Sequence, residues 1–496
     1  MKHGVQWVYS KSVYAESYPL PVKVFPKSFI NAREVLEGGL FYSDMVSLFS
    51  SLKAQQSVWQ LSADGKHEVV FDSVYDLRYS ALEMMGHGKQ EDFDVTTILF
   101  QRMRGHEKDV ALEAIFDRSL KIRKGKVFYD YDADGVNILI DLIPQREIII
   151  PDNFEFKWGS GSETQALINS IYLRCVYHVL CIDYAVEKFK MPGFFDSSLV
   201  LVLDNETLIH DLSFAADIGE NKISDFIDFL TFGSSTKSPD IALQPFLKSV
   251  SGRYMLPCMF VITNDMQRNA MALEARVNKK GFDKQSKVFE CCMLDRLMLA
   301  AERWPHKYKN KNFTVHNKKE EIDFLLIDVE NKIIIAMECA WMLQPGDPNE
   351  IFNRVKTCNG KVDQIERKCI FLQNNIAAVL HVLKLSKISC DEWQVKGLVV
   401  IEGFGGQISR VDAFPVISIN ALKIALEESQ SVSEIHSWAE SLEWLPKENY
   451  HFERVQTAHD TQPVSVHEIG LQLTEEHLKY SEHVTASVRV HNKLMP

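Results

Sequence analysis

Two short apolar runs stand side by side between Glu320 and Trp341. Ile322, Phe324, Leu325, Leu326 and Ile327 form the first, Ile333, Ile334, Ile335, Ala336 and Met337 the second, and Val329-Glu330-Asn331-Lys332 joins them. Runs this short, rich in β-branched residues and split by a turn, predict two buried neighbouring strands. A carboxylate interrupts each, Asp323 in the first and Glu338 in the second. An acid in a buried strand costs several kcal/mol (~3 or more) unless it is paired or binds a metal. Two readings follow. The pair shares a divalent cation such as Mg²⁺, which takes oxygen ligands from carboxylates, waters and substrate phosphate, or both acids sit at strand ends in water.

The same patterning divides the rest of the chain. Residues 1–158 mix short strands and helices: 41–52 and 110–122 read as helices, 126–129 and 136–140 as strands. Asp130, Asp132 and Asp134 imitate the opening of a calcium loop, but Asp141 stands where its closing Glu belongs, so an Asp-rich turn is the preferred reading. Trp158-Gly159-Ser160-Gly161-Ser162 reads as a linker, and 163–283 as a mostly helical region opening on a long helix, 163–190, capped by Ser162 or Thr164. In this region 199–203 and 255–263 read as strands and 223–232 as a helix. A third region, 284–422, holds the two acidic strands, a preceding helix over 288–303 that carries Glu290, and a following helix over 361–380 with Gln364 and Lys368 on one face. Residues 423–496 read as a helical extension and tail. Gly403-Phe404-Gly405-Gly406 lacks the full dinucleotide fingerprint and reads as a turn.

Composition narrows the class. A chain of 496 residues is too long for one core, and 46% hydrophobic with 25% charged residues is the balance of an ordinary globular protein. The N-terminal residues lack an apolar signal core, and no uninterrupted apolar stretch approaches the roughly eighteen residues of a membrane span, so no membrane partner and a cytoplasmic location are expected. The nine cysteines include no CxxC pair and are expected to be reduced. A net charge of −12 excludes a surface coated for polyanions, which confines any nucleic-acid contact to a local basic patch. The candidate is the segment from Arg303 to Lys319, with Lys307, Lys309, Lys311, Lys318 and Lys319, no acid before Glu320, and Trp304, Tyr308 and Phe313 to stack on bases.

Helix, Asp-bearing strand, Glu-bearing strand, helix and strand, in that order, resemble the PD-(D/E)XK nuclease superfamily, whose signature is an Asp on one strand and Glu-x-Lys on the next. Asp323 matches the family Asp, fifteen residues before Glu338, Glu290 matches the acid of the preceding helix, and Gln364 with Lys361 matches its polar helix motif. The resemblance covers about 135 residues of the 496. It implies a mixed α/β, multidomain chain with a C-terminal restriction-endonuclease-like αβββαβ core.

One position departs. The chain reads Glu338-Cys339-Ala340 where the family has Glu-x-Lys. Three accounts compete: Lys361 or Lys356 reaches in from the helix, the domain is a degenerate nucleic-acid binder, or a native lysine at position 340 has been replaced by alanine. The last is preferred here, because the acids, the basic segment and the helix polar group are all kept. It predicts that lysine at position 340 restores cleavage.

The resemblance implies Mg²⁺- or Mn²⁺-dependent phosphodiester hydrolysis, of DNA ahead of RNA, with a setting in bacterial antiphage defence. Asp323, Glu338 and the Cys339 carbonyl would hold metal, Glu290 would bind a second ion or orient a water, Gln364 would contact the phosphate or a metal-bound water, and Lys361 would join the basic residues in gripping nucleic acid. Residues 1–283 are left for recognition, homo-oligomerisation or control by a protein partner. The rival from another class is an inactive nuclease-fold protein serving as a nucleic-acid-binding scaffold.

Overall fold

A computed structural model describes residues 26–53, 57–63, 65–71, 77–91, 107–123, 126–142, 150–190, 199–236, 239–249, 251–345, 348–402, 414–461 and 464–494. Packing divides the chain into two units, Met1–Ser43 with Gln90–Val288 and Asp44–Lys89 with Phe289–Pro496. The division is not a run of consecutive segments, since Asp44–Lys89 joins the unit that begins at Phe289.

The first unit is built on the helix Gly161–Phe189, with helix Asn205–Ala216 and the turn of helix Cys258–Ile262 against it. Beside them lies a small antiparallel sheet in which Tyr254–Pro257 pairs with both Val200–Leu203 and Leu247–Lys248. Among the described residues, Gly161–Phe189 is the one helix long and apolar enough to cross a membrane, yet 89% of its most apolar window is buried in the unit, as in a core helix. Its start corrects the linker expectation. Ser160 is the N-cap in a capping box with Glu163, and Trp158 is buried with Nε1 donating to Thr164 Oγ1 at 2.9 Å. The Gly/Ser composition therefore serves a helix entry.

Residues 136–140, expected as a strand, lie in the helix Ala133–Leu142. Asp132 accounts for this: its Oδ1 accepts from the N–H groups of Asp134 and Gly135 at 3.0 and 3.3 Å, so the Asp-rich stretch caps a helix. The strand expected over 255–263 stops at Pro257, where helix Cys258–Ile262 begins.

The second unit contains a five-stranded sheet. Helix α1 (Lys287–Ala300) leads into β1 (Lys307–Val315), β2 (Lys318–Asp328) and β3 (Ile333–Trp341), then α2 (Pro348–Asn374), β4 (Gln394–Glu402) and β5 (Val416–Ser418), followed by α3 (Ile419–Glu428) and α4 (Val432–Ser441). The spatial order is β5-β4-β3-β2-β1, antiparallel from β1 to β3 and parallel from β3 to β5. The sheet is buried on both faces, which explains the near-continuous apolar runs of β2 and β3. Met293, Leu294 and Leu297 of α1 with Leu422 of α3 and Trp438 of α4 cover one face. Cys358, Val362, Ile365, Cys369 and Leu372 of α2 cover the other. Gly397 of β4 lets α2 come close: a Cβ there would meet Phe414 at 2.6 Å and Cys369 Sγ at 2.9 Å.

The helical extension expected over 423–496 is interrupted by strands Phe452–Thr461 and Val464–Leu473, which form a hairpin continued by His67–Phe71 and Ser57–Leu61 in a second sheet of four strands. Helix Tyr480–Leu494 follows it. Gly403-Phe404-Gly405-Gly406 lies outside the described residues.

Candidate active site

Asp323 and Glu338 meet across the two central strands. The β2–β3 pairing ends at Phe324↔Met337, and one further step of the same register sets Asp323 directly opposite Glu338. Opposed residues of an antiparallel pair share a face, with Cβ atoms about 5 Å apart. On the other side of β2 the pairs Lys309↔Phe324 and Lys311↔Ile322 flank Asn310, whose φ of 51° breaks the ladder opposite Asp323. The backbone is thus released on both sides of the Asp, and its Oδ2 accepts a hydrogen bond from the Cys339 N–H at 2.8 Å.

Glu338 is nearly sealed, with 4% of its side chain exposed. It faces α2, as do Ala336 and Ala340, while Cys339 turns to the opposite apolar cluster. Two lysines of α2 take its two oxygens. Lys361 Nζ donates to Oε1 at 2.8 Å, and Lys368 Nζ donates to Oε2. Seven residues are two helical turns, so Lys361, Ile365 and Lys368 form one stripe toward the sheet. Lys368, which in the sequence stands out only as a face-mate of Gln364, is thus a site residue, and its seven-residue spacing from Lys361 is the signal that marks it.

The charges of this cluster are unevenly served. Burial, with the Glu338 charge beside it, pushes the Asp323 carboxyl up to about 6, and neither lysine holds it down to its ordinary value. Burial works against the Lys361 ammonium, but Glu338, Asp323 and Glu290 outweigh it and raise its pKa. Glu290 is therefore close enough to act on Lys361, and its charge also reaches the Cys339 thiol, which burial lifts well above the usual range. The stacking of Phe289 on Trp341, ring centres 3.9 Å apart, fixes the first turn of α1 beside the end of β3.

Among the described residues no three His, Cys, Asp or Glu side chains converge on one point. The oxygen donors for a hard cation are Asp323, Glu338 and the Cys339 carbonyl. In an antiparallel pair the N–H and C=O of a residue address the same neighbour, and the Cys339 N–H addresses Asp323, so the carbonyl opens to the same gap. Two carboxylates, one short of a counter-cation, and a carbonyl released from the ladder suit a divalent ion of Mg²⁺ type.

Several expectations need correction. Ala340 is 2% exposed within the apolar cluster of Met342, Cys358 and Val362, so a lysine there would enter a packed core. Gln364 is exposed although it shares a helix face with Lys361 and Lys368, and Lys356 is exposed as well. The basic segment is a hairpin rather than a loop, turning at His316 and Asn317, both with positive φ. Phe313 is fully buried, Trp304 Nε1 donates to the Leu426 carbonyl, and Tyr308 packs beneath α2 and the following helix, so the aromatic rings serve the core. Lys307 is spent on the carbonyls of Glu302 and Trp304, Lys309 pairs with Asp295, and Lys311 lies over the Tyr308 ring. Lys318 and Lys319 are exposed at the hairpin tip.

No protein-family model, curated protein or solved structure matches the chain.

Proposed function

We propose that the protein is a divalent-cation-dependent nuclease with a restriction-endonuclease-like core, hydrolysing phosphodiester bonds of DNA, and that the helix supplies the lysine absent from position 340. One observation carries this reading: the Lys361 ammonium lies 2.8 Å from Glu338, on a strand whose neighbour offers Asp323 directly across. The order α1-β1-β2-β3-α2-β4 around these residues supports it, as does the approach of Glu290. Asp323, Glu338 and the Cys339 carbonyl would hold Mg²⁺ or Mn²⁺, which when bound supplies a water of lowered pKa and neutralises phosphate charge. Lys361 would orient the attacking water and offset the charge that develops on the phosphate, a contact whose removal costs on the order of a hundredfold in rate.

The test is cleavage of plasmid, linear and single-stranded DNA, and of RNA, by the full-length protein in Mg²⁺ or Mn²⁺. Expected is turnover abolished by EDTA, reduced about a hundredfold or more by Lys361→Met, and not increased by Ala340→Lys. Cleavage by Ala340→Lys alone would return the catalytic lysine to position 340. Cleavage by neither protein would give precedence to the scaffold reading, which the occupation of both Glu338 oxygens by lysine favours.

A further inference from the structure

We propose that the two lysines on Glu338 divide its oxygens between permanent and exchangeable duty: Lys368 is a positioning residue that keeps Oε2, and Lys361 is a counter-ion that surrenders Oε1 to an incoming divalent cation. The proposal rests on the metal-dependent reading of this site and deepens it. Both ammonium groups bond one carboxylate, so a cation that takes a Glu338 oxygen competes with the ammonium already on it. They differ in freedom. The Lys368 side chain is 8% exposed, between Ile365 and Leu372 of the buried stripe, and has nowhere to go. The Lys361 side chain is 21% exposed and lies two turns nearer the start of α2. Its charge also feels Glu290, so a released ammonium has a second acid to turn toward.

The exchange has a functional consequence. Without metal, Lys361 is tied to Glu338. A cation at Oε1 would release the same ammonium, which on the proposed reading then acts on the phosphate. Arming of the lysine is thereby coupled to loading of the site, while Lys368 keeps the Glu338 rotamer fixed throughout.

Competition for one oxygen makes an affinity prediction by mass action. The measurement is Mn²⁺ binding to the full-length protein without nucleic acid, by calorimetry and by the electron paramagnetic resonance of free Mn²⁺. Lys361→Met, which keeps the stem and removes the competitor, is expected to bind Mn²⁺ about tenfold more tightly than the parent, the scale of a hydrogen bond to a charged group. Lys368→Met is expected to bind no more tightly than the parent. Should that variant not fold, Lys356→Met removes the same charge from an exposed position on α2 and serves as the control, with unchanged affinity expected. The exchange is overturned if Lys361→Met binds no more tightly, or if either control tightens as much, which would reduce the effect to net charge. If the parent and Lys361→Met both fail to bind Mn²⁺, the metal-dependent reading falls with it.

Discussion

The two units each bury a charged cluster, and the clusters are finished differently. In the first, Arg174 of the long helix donates through Nε to Asp211 at 2.7 Å and through its terminal nitrogen to the Tyr129 hydroxyl at 2.9 Å. That hydroxyl meets His178 Nδ1 at 2.5 Å, and the guanidinium lies 4.7 Å from the Tyr131 ring centre. The Arg174 and Asp211 side chains are 4% and 7% exposed. Burial works against the ionised forms, pushing Asp211 up, but the guanidinium does not give up its proton and holds the pair charged. In the second unit two acids face two lysines, yet among the described residues both ammonium groups crowd onto Glu338 while Asp323 accepts from the Cys339 N–H. One cluster is closed and matched, as a structural ion pair is. The other is mismatched in its geometry although the formal charges of the two acids and two lysines sum to zero.

The same substitution in the two clusters should therefore act with opposite sign. Asp211→Asn leaves the buried Arg174 without a counter-charge and is expected to destabilise its unit by about 3–5 kcal/mol, read as a drop in the denaturant midpoint. No loss there would mean that the first cluster is not a closed pair. Asp323→Asn removes an acid whose ionisation the fold disfavours. Its folded pKa of about 6 exceeds the 3.8 of an ordinary aspartate, so the folded state binds more protons between these limits, and the parent loses stability as pH rises through that window. The Asn variant, which still accepts from the Cys339 N–H, should gain roughly 3 kcal/mol over the parent above pH 6.5 and almost nothing below pH 4. Paired urea titrations at pH 4, 5.5 and 7 check this. A difference independent of pH would show that the fold does not disfavour the ionised Asp323 carboxyl.

Much of the second cluster was legible because buried strands are strict about charge. Asp323 and Glu338 stood out as acids inside runs that leave no solvent face, and Glu290 followed from the helix ahead of them. What misled was chemistry attached to composition. Six basic residues without an acid suggested a loop open to phosphate, but strand pairing turns Phe313 inward, ties Lys307 to carbonyls three and five positions before it and pairs Lys309 with Asp295 of the preceding helix. Ala340 suggested a lost lysine because the motif was read along one strand, whereas the ammonium groups come from a helix whose register depends on Gly397 and on packing that no local pattern reports. In the first unit the long helix was visible from its periodicity. The Arg174–Asp211 pair was not, since its partners are 37 positions apart on helices whose contact is tertiary. Asp132 as a helix cap and Ser160 as an N-cap were hidden by the resemblance of capping residues to turn and linker residues.

The smallest effect separates the clusters by their reach into solvent. Lys318 and Lys319 start β2 at an exposed hairpin tip, and Asp323 lies five residues along the same strand, roughly 17 Å away. A phosphate backbone lying along β2 toward Asp323 would pass this tip, whereas Arg174 and its partners offer no exposed cation to a polyanion. Replacing Lys318 and Lys319 together by Ser should weaken DNA binding by a few-fold at about 0.15 M salt and make the slope of log K against log salt shallower by about one to two, the signature of one or two lost phosphate contacts. Both side chains are exposed, so the thermal midpoint should not move. Binding by anisotropy from 50 to 300 mM salt measures the slope directly, with EDTA present to prevent cleavage. An unchanged slope would take the hairpin out of the nucleic-acid surface and leave Lys361 as the cation through which this unit meets phosphate.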